Sequence, residues 1–336
     1  MNGEFRERVD AALGDFLARQ EPRWPRGAPY DVLGLLKRFV MGGGKRLRPA
    51  FCYQGWRGAG GSDADEVIVA AGALELFHAF ALIHDDIIDG SALRRGLPSV
   101  HEQFPARSPH FGRNAALLCG DLCAAWAEQM FGECGLPPER VLRAHAEFSR
   151  MRTEVIAGQY LDLAAAGDSV DAALTVVRMK GARYTVTRPL RIGARLAGGD
   201  DVLCAALAAF GDPLGDAFQL RDDVLGVFGD PGITGKPVLD DLREGKPTVL
   251  MALTRAAAGP AQRGRLAALF GDPALDESGA AELRGIIVDT GALAGVEQLI
   301  RAGRDEALAA LDAIPIPGEV RKELAELASA TVDRAR

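Results

Sequence analysis

The feature that most restricts this chain is an apolar stretch from 65 to 89 that closes on three aspartates, Asp85, Asp86 and Asp89. Leu74, Phe77, Phe80 and Ile83 recur at intervals of three, which predicts one long helix with most of that stripe in a core. With a rise of about 1.5 Å per residue, Asp85 and Asp89 fall on one helix face roughly 6 Å apart. Like charges that close at the end of an apolar helix repel one another unless a cation lies between them. A hard divalent ion suits oxygen ligands, and Mg²⁺ takes one or two carboxylates and completes its shell with water and phosphate oxygens. The motif therefore predicts a phosphate-bearing substrate; the plainer alternative is a solvated acidic helix end.

A second acidic pair, Asp222 and Asp223, follows Phe218-Gln219-Leu220-Arg221 in another apolar helical run far along the chain. Two such helices facing each other would hold several metal ions over one cavity. Cations cluster at separate places. Gly42-Gly43-Gly44-Lys45-Arg46-Leu47-Arg48-Pro49 is a glycine-rich bend delivering three of them, suited to diphosphate oxygens, although a basic surface turn would look similar. Arg94 and Arg95 follow the first acidic motif, Lys180 stands in the segment 178–185, and a long loop carries Lys236 and Lys246 around Asp240-Asp241.

Net charge is −7 and the isoelectric point near 5.4, which makes nucleic acid and anionic membrane surfaces poor partners. Anionic substrates must be met by these local cations. Hydrophobic residues at 48% and charged residues at 25% are the balance of a globular protein with a large core. The five cysteines lack a CxxC pair and read as free thiols in a reducing cytoplasm. The N-terminus has no signal pattern, and the apolar run 67–83, interrupted by Glu75 and His78, is short for a membrane span, so no transmembrane segment is expected. His84 reads as an ordinary core histidine. Helical periodicity also covers 4–20, 31–41, 114–131, 138–165 and 202–228, and further amphipathic helices follow from 249; no strand pattern emerges.

The ordered set GGGKRLRP at 42–49, LIHDDIID at 82–89, LRRG at 93–96, GQYLD at 158–162, FQLRDD at 218–223 and GKP at 235–237 closely resembles the trans-isoprenyl diphosphate synthases. The resemblance spans nearly the whole chain. It implies an all-α fold over 1–336, a single large helical bundle of the isoprenoid synthase type, with a central cavity between two Asp-bearing helices, usually as a homodimer. Carried over by position, Lys45, Arg48, His78 and Arg95 would bind the diphosphate of isopentenyl diphosphate. Arg94, Lys180, Gln219, Lys236 and Lys246 would face the allylic diphosphate. Asp85, Asp89 and Asp222 would ligate three Mg²⁺ ions, with Asp86 and Asp223 behind them. Lys180, Lys236, Asp85 and Asp222 would carry the chemistry, in which an allylic C–O bond ionises and the isopentenyl alkene attacks the cation.

Two positions depart from the family pattern. Gly226 stands where many members carry the last aspartate of a second DDxxD, and Gly181 stands where a Thr or Ser commonly follows the lysine. Product length should depend on the bulky side chain flooring the cavity below the first motif. Phe80, five residues before Asp85 with no insertion inside DDIID, resembles the short-chain geranylgeranyl pattern, and Phe77 makes a farnesyl product the alternative. A terpene cyclase on the same fold would not need the isopentenyl site at Lys45, Arg48, His78 and Arg95. A non-catalytic partner subunit would be expected to lose an acidic motif.

Overall fold

Side-chain caps and glycine stops divide most of this chain into helices. The computed structural model describes residues 3–25, 27, 30–105, 108, 110–164, 169–229 and 239–332. The α-helices are α1 (Gly3–Gln20), α2 (Val32–Met41), α3 (Leu47–Gly58), α4 (Asp65–Asp89), α5 (Phe111–Gly132), α6 (Pro138–Leu163), α7 (Val170–Val176), α8 (Arg188–Leu196) and α9 (Asp201–Phe228). They continue with α10 (Asp240–Glu244), α11 (Val249–Ala257), α12 (Pro260–Leu269), α13 (Glu277–Asp289), α14 (Ala292–Ala313) and α15 (Gly318–Val332). Asp31, Asp200 and Asp276 cap α2, α9 and α13, each accepting a backbone N–H at 2.8 Å, from Gly34, Leu203 and Gly279. Each such cap contributes about 1 kcal/mol. Between α7 and α8 the backbone widens into π-helical turns over Val177–Thr187, the segment that carries Lys180.

Buried apolar side chains from Phe5 to Val332 form one contiguous cluster, and α4 runs through it. Helix α4 is long and apolar enough to cross a membrane by length and composition alone, contrary to the expectation that this stretch is too short. Its apolar window is 67% buried inside the protein, as in the core helix of a folded domain. Leu74, Phe77 and Ile83 are buried as the periodicity requires, whereas Phe80 is only partly so. The helix stops at Gly90, whose φ of 67° is the left-handed conformation that glycine adopts without strain.

One expectation needs correcting. Leu93–Arg94 and Leu97–Pro98 pair as a minimal antiparallel hairpin, turning through Arg95 and Gly96 at φ 55° and 76°. Two-residue strands are too short to show a period of two, so the sequence does not announce them. The hairpin sends its two arginines different ways: Arg94 is buried, and Arg95 is exposed.

The glycine-rich bend is pinned by Arg46. Its side chain turns into the core and pairs with Glu75 of α4 at 2.8 Å and Asp10 of α1 at 2.7 Å, and it donates to the carbonyl of Val40 at 3.0 Å. Both Arg46 and Glu75 are buried, which explains the acid that interrupts the apolar run of α4. Removing one member of a buried ion pair leaves an uncompensated charge. Glu75→Ala is therefore expected to lower the unfolding free energy by about 3 kcal/mol, measured by denaturant titration, with Asp10 limiting the loss.

Candidate active site

A cavity of about 1200 Å³ opens between the acidic ends of α4 and α9. That exceeds the roughly 300–1,000 Å³ of a usual small-ligand site and leaves room for two substrates. Asp85 of α4 and Asp222 and Asp223 of α9 all line it, so the two acidic motifs share one space. Lys45, Arg48, His78, Phe80, Arg94, Lys180, Gln219 and Lys246 line it as well. Lys236 lies outside the described residues. Asp86, Asp89, Arg95 and Phe77 are not on the cavity wall.

Two ammonium groups hold the first motif. Lys180 Nζ stands 3.1 Å from Asp85 and 2.5 Å from Asp162, the acid of the GQYLD segment. Lys246 Nζ stands 3.1 Å from Asp89, 3.4 Å from Asp241 and 2.9 Å from Glu244. Burial pushes the Asp85 carboxyl up, but Lys180, Lys246 and Arg94 outweigh it and hold the group at about 2. Asp89 is raised instead, first by burial and then by the neighbouring Asp85 charge, against Lys246. Asp86 is buried behind them and takes the guanidinium of Arg94, whose Nε donates to it at 2.8 Å. Arg94 also stands 3.4 Å from Asp85, so it clamps the acidic motif as well as edging the cavity.

On α9, Gln219 Nε2 donates to Asp223 at 3.1 Å. Burial pushes Asp223 up to about 7, with Asp241 and Asp222 adding to the shift and the Gln219 bond and Lys246 opposing it. The missing side chain at 181 has a use here. A Cβ on Gly181 would lie 2.0 Å from Gln219 Oε1, so the amide occupies the room that a Thr or Ser would need.

The cationic wall is built on aromatic support. The Arg48 guanidinium lies 4.0 Å above the ring of Tyr184 and donates to Thr185 Oγ1 at 2.9 Å. The Tyr184 hydroxyl meets His78 Nδ1 at 2.6 Å. Burial, then the charges of Arg48, Arg95, Arg94 and Arg46, hold His78 well below its usual value, so the ring is neutral. Arg95 donates to the carbonyl of Gly43 at 3.0 Å, which ties the hairpin to the glycine-rich bend.

The sequence profile of the family described as polyprenyl synthetase matches residues 32–286. The chain belongs to that family. A geranylgeranyl pyrophosphate synthase from Corynebacterium glutamicum, solved with isoprenyl diphosphate and magnesium, superimposes with a TM-score of 0.95 at 42% identity over 100% of both chains. A geranylfarnesyl diphosphate synthase of Aeropyrum pernix is 36% identical over 306 residues, 89% of this chain and 92% of its own. A (2E,6E)-farnesyl diphosphate synthase of Mycobacterium tuberculosis is 35% identical over 308 residues, 87% of this chain and 80% of its own. The substrates of polyprenyl synthetases are isopentenyl diphosphate and an allylic diphosphate, and as a member this chain is an isoprenyl diphosphate synthase.

In this polyprenyl synthetase the acidic residues suit a hard divalent ion. Asp85 Oδ1 and Asp89 Oδ2 are buried and meet the ammonium groups of Lys180 and Lys246, each at 3.1 Å, so cations already balance the oxygens a metal would take. Among the described residues no three His, Cys, Asp or Glu side chains form a ready-made cage. Mg²⁺ typically takes one or two carboxylates and completes its shell with water and substrate phosphates.

Two sequence readings change. Phe77 is fully buried, packed against Phe80, Phe148 and Tyr184 at ring separations of 5.2, 6.1 and 6.0 Å, so it backs the cavity floor and does not form it. Three residues along an α-helix leave Phe77 on the same side as Phe80 but about 60° round, toward Phe148 and Tyr184. His84 lines the cavity instead of the core; its ring lies 4.6 Å from Phe80 and Nε2 meets the carbonyl of Leu117 at 3.0 Å. Asp162, Tyr184 and Asp241 also stand in the site, and the sequence motifs assign them no role. Tyr184 had a readable signal, since it lies four residues after Lys180 on the same helical face.

A neutral, half-buried His78 makes stability depend on pH in one direction. The unfolded chain binds a proton near pH 6.5 that the folded chain refuses, so stability is full above that value and falls as pH drops below it. Wild type should lose up to about 1.4 kcal/mol per unit below pH 6.5 relative to His78→Gln, as read from denaturant curves between pH 8 and pH 5.

Proposed function

We propose that this prenyltransferase condenses isopentenyl diphosphate head-to-tail with an allylic diphosphate to release geranylgeranyl diphosphate. The observation that carries the reading is the single cavity lined by Asp85, Asp222 and Asp223 from the two aspartate motifs, by five Lys and Arg side chains, and by the half-buried Phe80 in its apolar wall. Lys45, Arg48, neutral His78 and the nearby Arg95 bind the isopentenyl diphosphate. Lys180, Gln219 and Lys246, with Arg94 and with Lys236 from outside the described residues, orient the allylic diphosphate. Bound Mg²⁺, proposed as three ions held by Asp85, Asp89 and Asp222 with Asp86 and Asp223 behind them, supplies Lewis-acid charge at the departing diphosphate.

Lys180 is suited to its part. Burial works against its charge, but Asp85 and Asp162 keep it protonated, so it presents fixed positive charge to the leaving group. Phe80, Ile88, Val155, Val177, Phe218 and Leu225 keep water from the allylic cation. The allylic C–O bond breaks, the C4 alkene carbon of the isopentenyl unit forms the new C–C bond, and the proton lost from its C2 goes to the released diphosphate, so no side-chain nucleophile is needed.

A homodimer is part of the proposal. Leu117 and Leu118 on α5 and Ile156, Tyr160 and Leu163 on α6 are exposed apolar side chains of the kind an interface covers. Five buried free cysteines accord with a reducing cytoplasm.

Purified protein given Mg²⁺, isopentenyl diphosphate and farnesyl diphosphate should yield the C20 linear diphosphate, read by chromatography of the dephosphorylated product. A hydrocarbon product would point to a cyclase, and no turnover to a silent subunit. Phe80→Ala should lengthen the product series; an unchanged profile would remove Phe80 from the floor. Phe77→Ala should instead cost about 3–5 kcal/mol of stability with product length unchanged.

A further inference from the structure

We propose that Gly158 of α6 is a positioning residue for Lys180: main-chain contact at its missing side chain fixes where the ammonium group stands beside Asp85. The proposal rests on the reading of the cavity as a metal and diphosphate site. Lys180 lies in the π-helical stretch Val177–Thr187, a backbone form that is rare and frequent at functional sites. A Cβ built on Gly158 would lie 2.4 Å from the backbone nitrogen of Lys180, 2.8 Å from its Cα and 2.8 Å from the carbonyl carbon of Met179. These are main-chain atoms, which cannot swing aside as the end of a side chain can. The segment is closed on its other side as well, where a Cβ on Gly215 of α9 would lie 2.6 Å from the carbonyl oxygen of Ala182 and 2.8 Å from its carbonyl carbon. The backbone that carries Lys180 is therefore held between two helices, with no room for a methyl group on either.

Spacing along α6 turns this contact into a role. Asp162 stands one turn, about 6 Å, beyond Gly158 and takes the Lys180 ammonium at 2.5 Å. One turn of α6 thus meets the lysine at both ends, backbone at 158 and charge at 162, with the four-carbon stem spanning the interval. One turn earlier, Glu154 takes the guanidinium of Arg188 at 2.9 Å, where the π-helical segment passes into α8. The same Lys180 ammonium meets Asp85 at 3.1 Å. Displacing residue 180 from α6 therefore moves its charge relative to Asp162 and to Asp85 together.

The test uses the full chain and inorganic diphosphate, whose binding in the presence of Mg²⁺ is followed calorimetrically. Gly158→Ala should weaken it about tenfold, because a small misplacement of a positioned group is costly. In the Lys180→Ala background the same change at 158 should add less than about twofold, since residues that act through one contact are not additive. Gly303→Ala is the packing control. On α14 its Cβ would meet the carbonyl oxygen of Pro213 at 2.8 Å, away from the cavity lining, so it should lower the melting temperature and leave diphosphate binding at the wild-type value. Lys180→Arg keeps the charge and leaves 158 untouched, but its longer head overshoots the turn, so it should bind about as weakly as Gly158→Ala. It decides the matter alone if Gly158→Ala does not fold. Wild-type affinity in Gly158→Ala or in Lys180→Arg overturns the proposal. So does an equal loss from Gly158→Ala with Lys180 removed, or an equal loss in Gly303→Ala, each of which would mean general distortion. Unchanged binding in Lys180→Ala would instead overturn the underlying reading of the site.

Discussion

Neutralisation of carboxylates in a low-dielectric hollow is the interaction on which this structure depends. Asp85, Asp86, Asp89 and Asp223 on two largely apolar helices, with Asp241 of α10 beside them, crowd one place where unopposed charge would be too costly to retain. Lys180, Lys246 and Arg94, each from a different element, stand against them. The wide turns of the π-helical segment, the short helix α10 with its glycine stop, and the hairpin after α4 all serve to bring one cation inward. These irregular elements are where the chain departs from simple helix packing, and they are where the chemistry is.

The same accounting separates structural charge from functional charge. Arg46 and Glu75 neutralise one another in the core and present nothing to the cavity, although they sit among residues that do. Lys45 and Arg48, flanking Arg46, reach the cavity wall. Arg94 does both, clamping Asp86 while edging the site. Asp85, beside Lys180, Lys246 and Arg94, is held low, whereas Asp89 and Asp223 are pushed up, first by burial and then by neighbouring carboxylates.

The two glycines that depart from the family pattern are filled positions. Gln219 occupies the room beside Gly181, and the Asp241 carboxylate occupies the room beside Gly226.

The order of helices, the two acidic motifs, the caps at Asp31 and Asp276 and the burial of most of the α4 stripe are legible from the sequence, because periodicity and capping act over a few residues. The pairing of Lys180 with Asp162, the inward turn of Arg46, the hairpin that parts Arg94 from Arg95, and the division of labour between Phe77 and Phe80 are not legible. Each depends on how helices distant in sequence cross. A side chain's hydrogen-bond partners and burial are fixed by those crossings, and local spacing carries no information about them. The amino-acid sequence alone determined which residue types could bind metal and diphosphate; the tertiary structure decided which of them share the cavity, because only packing brings distant charges within a few ångströms.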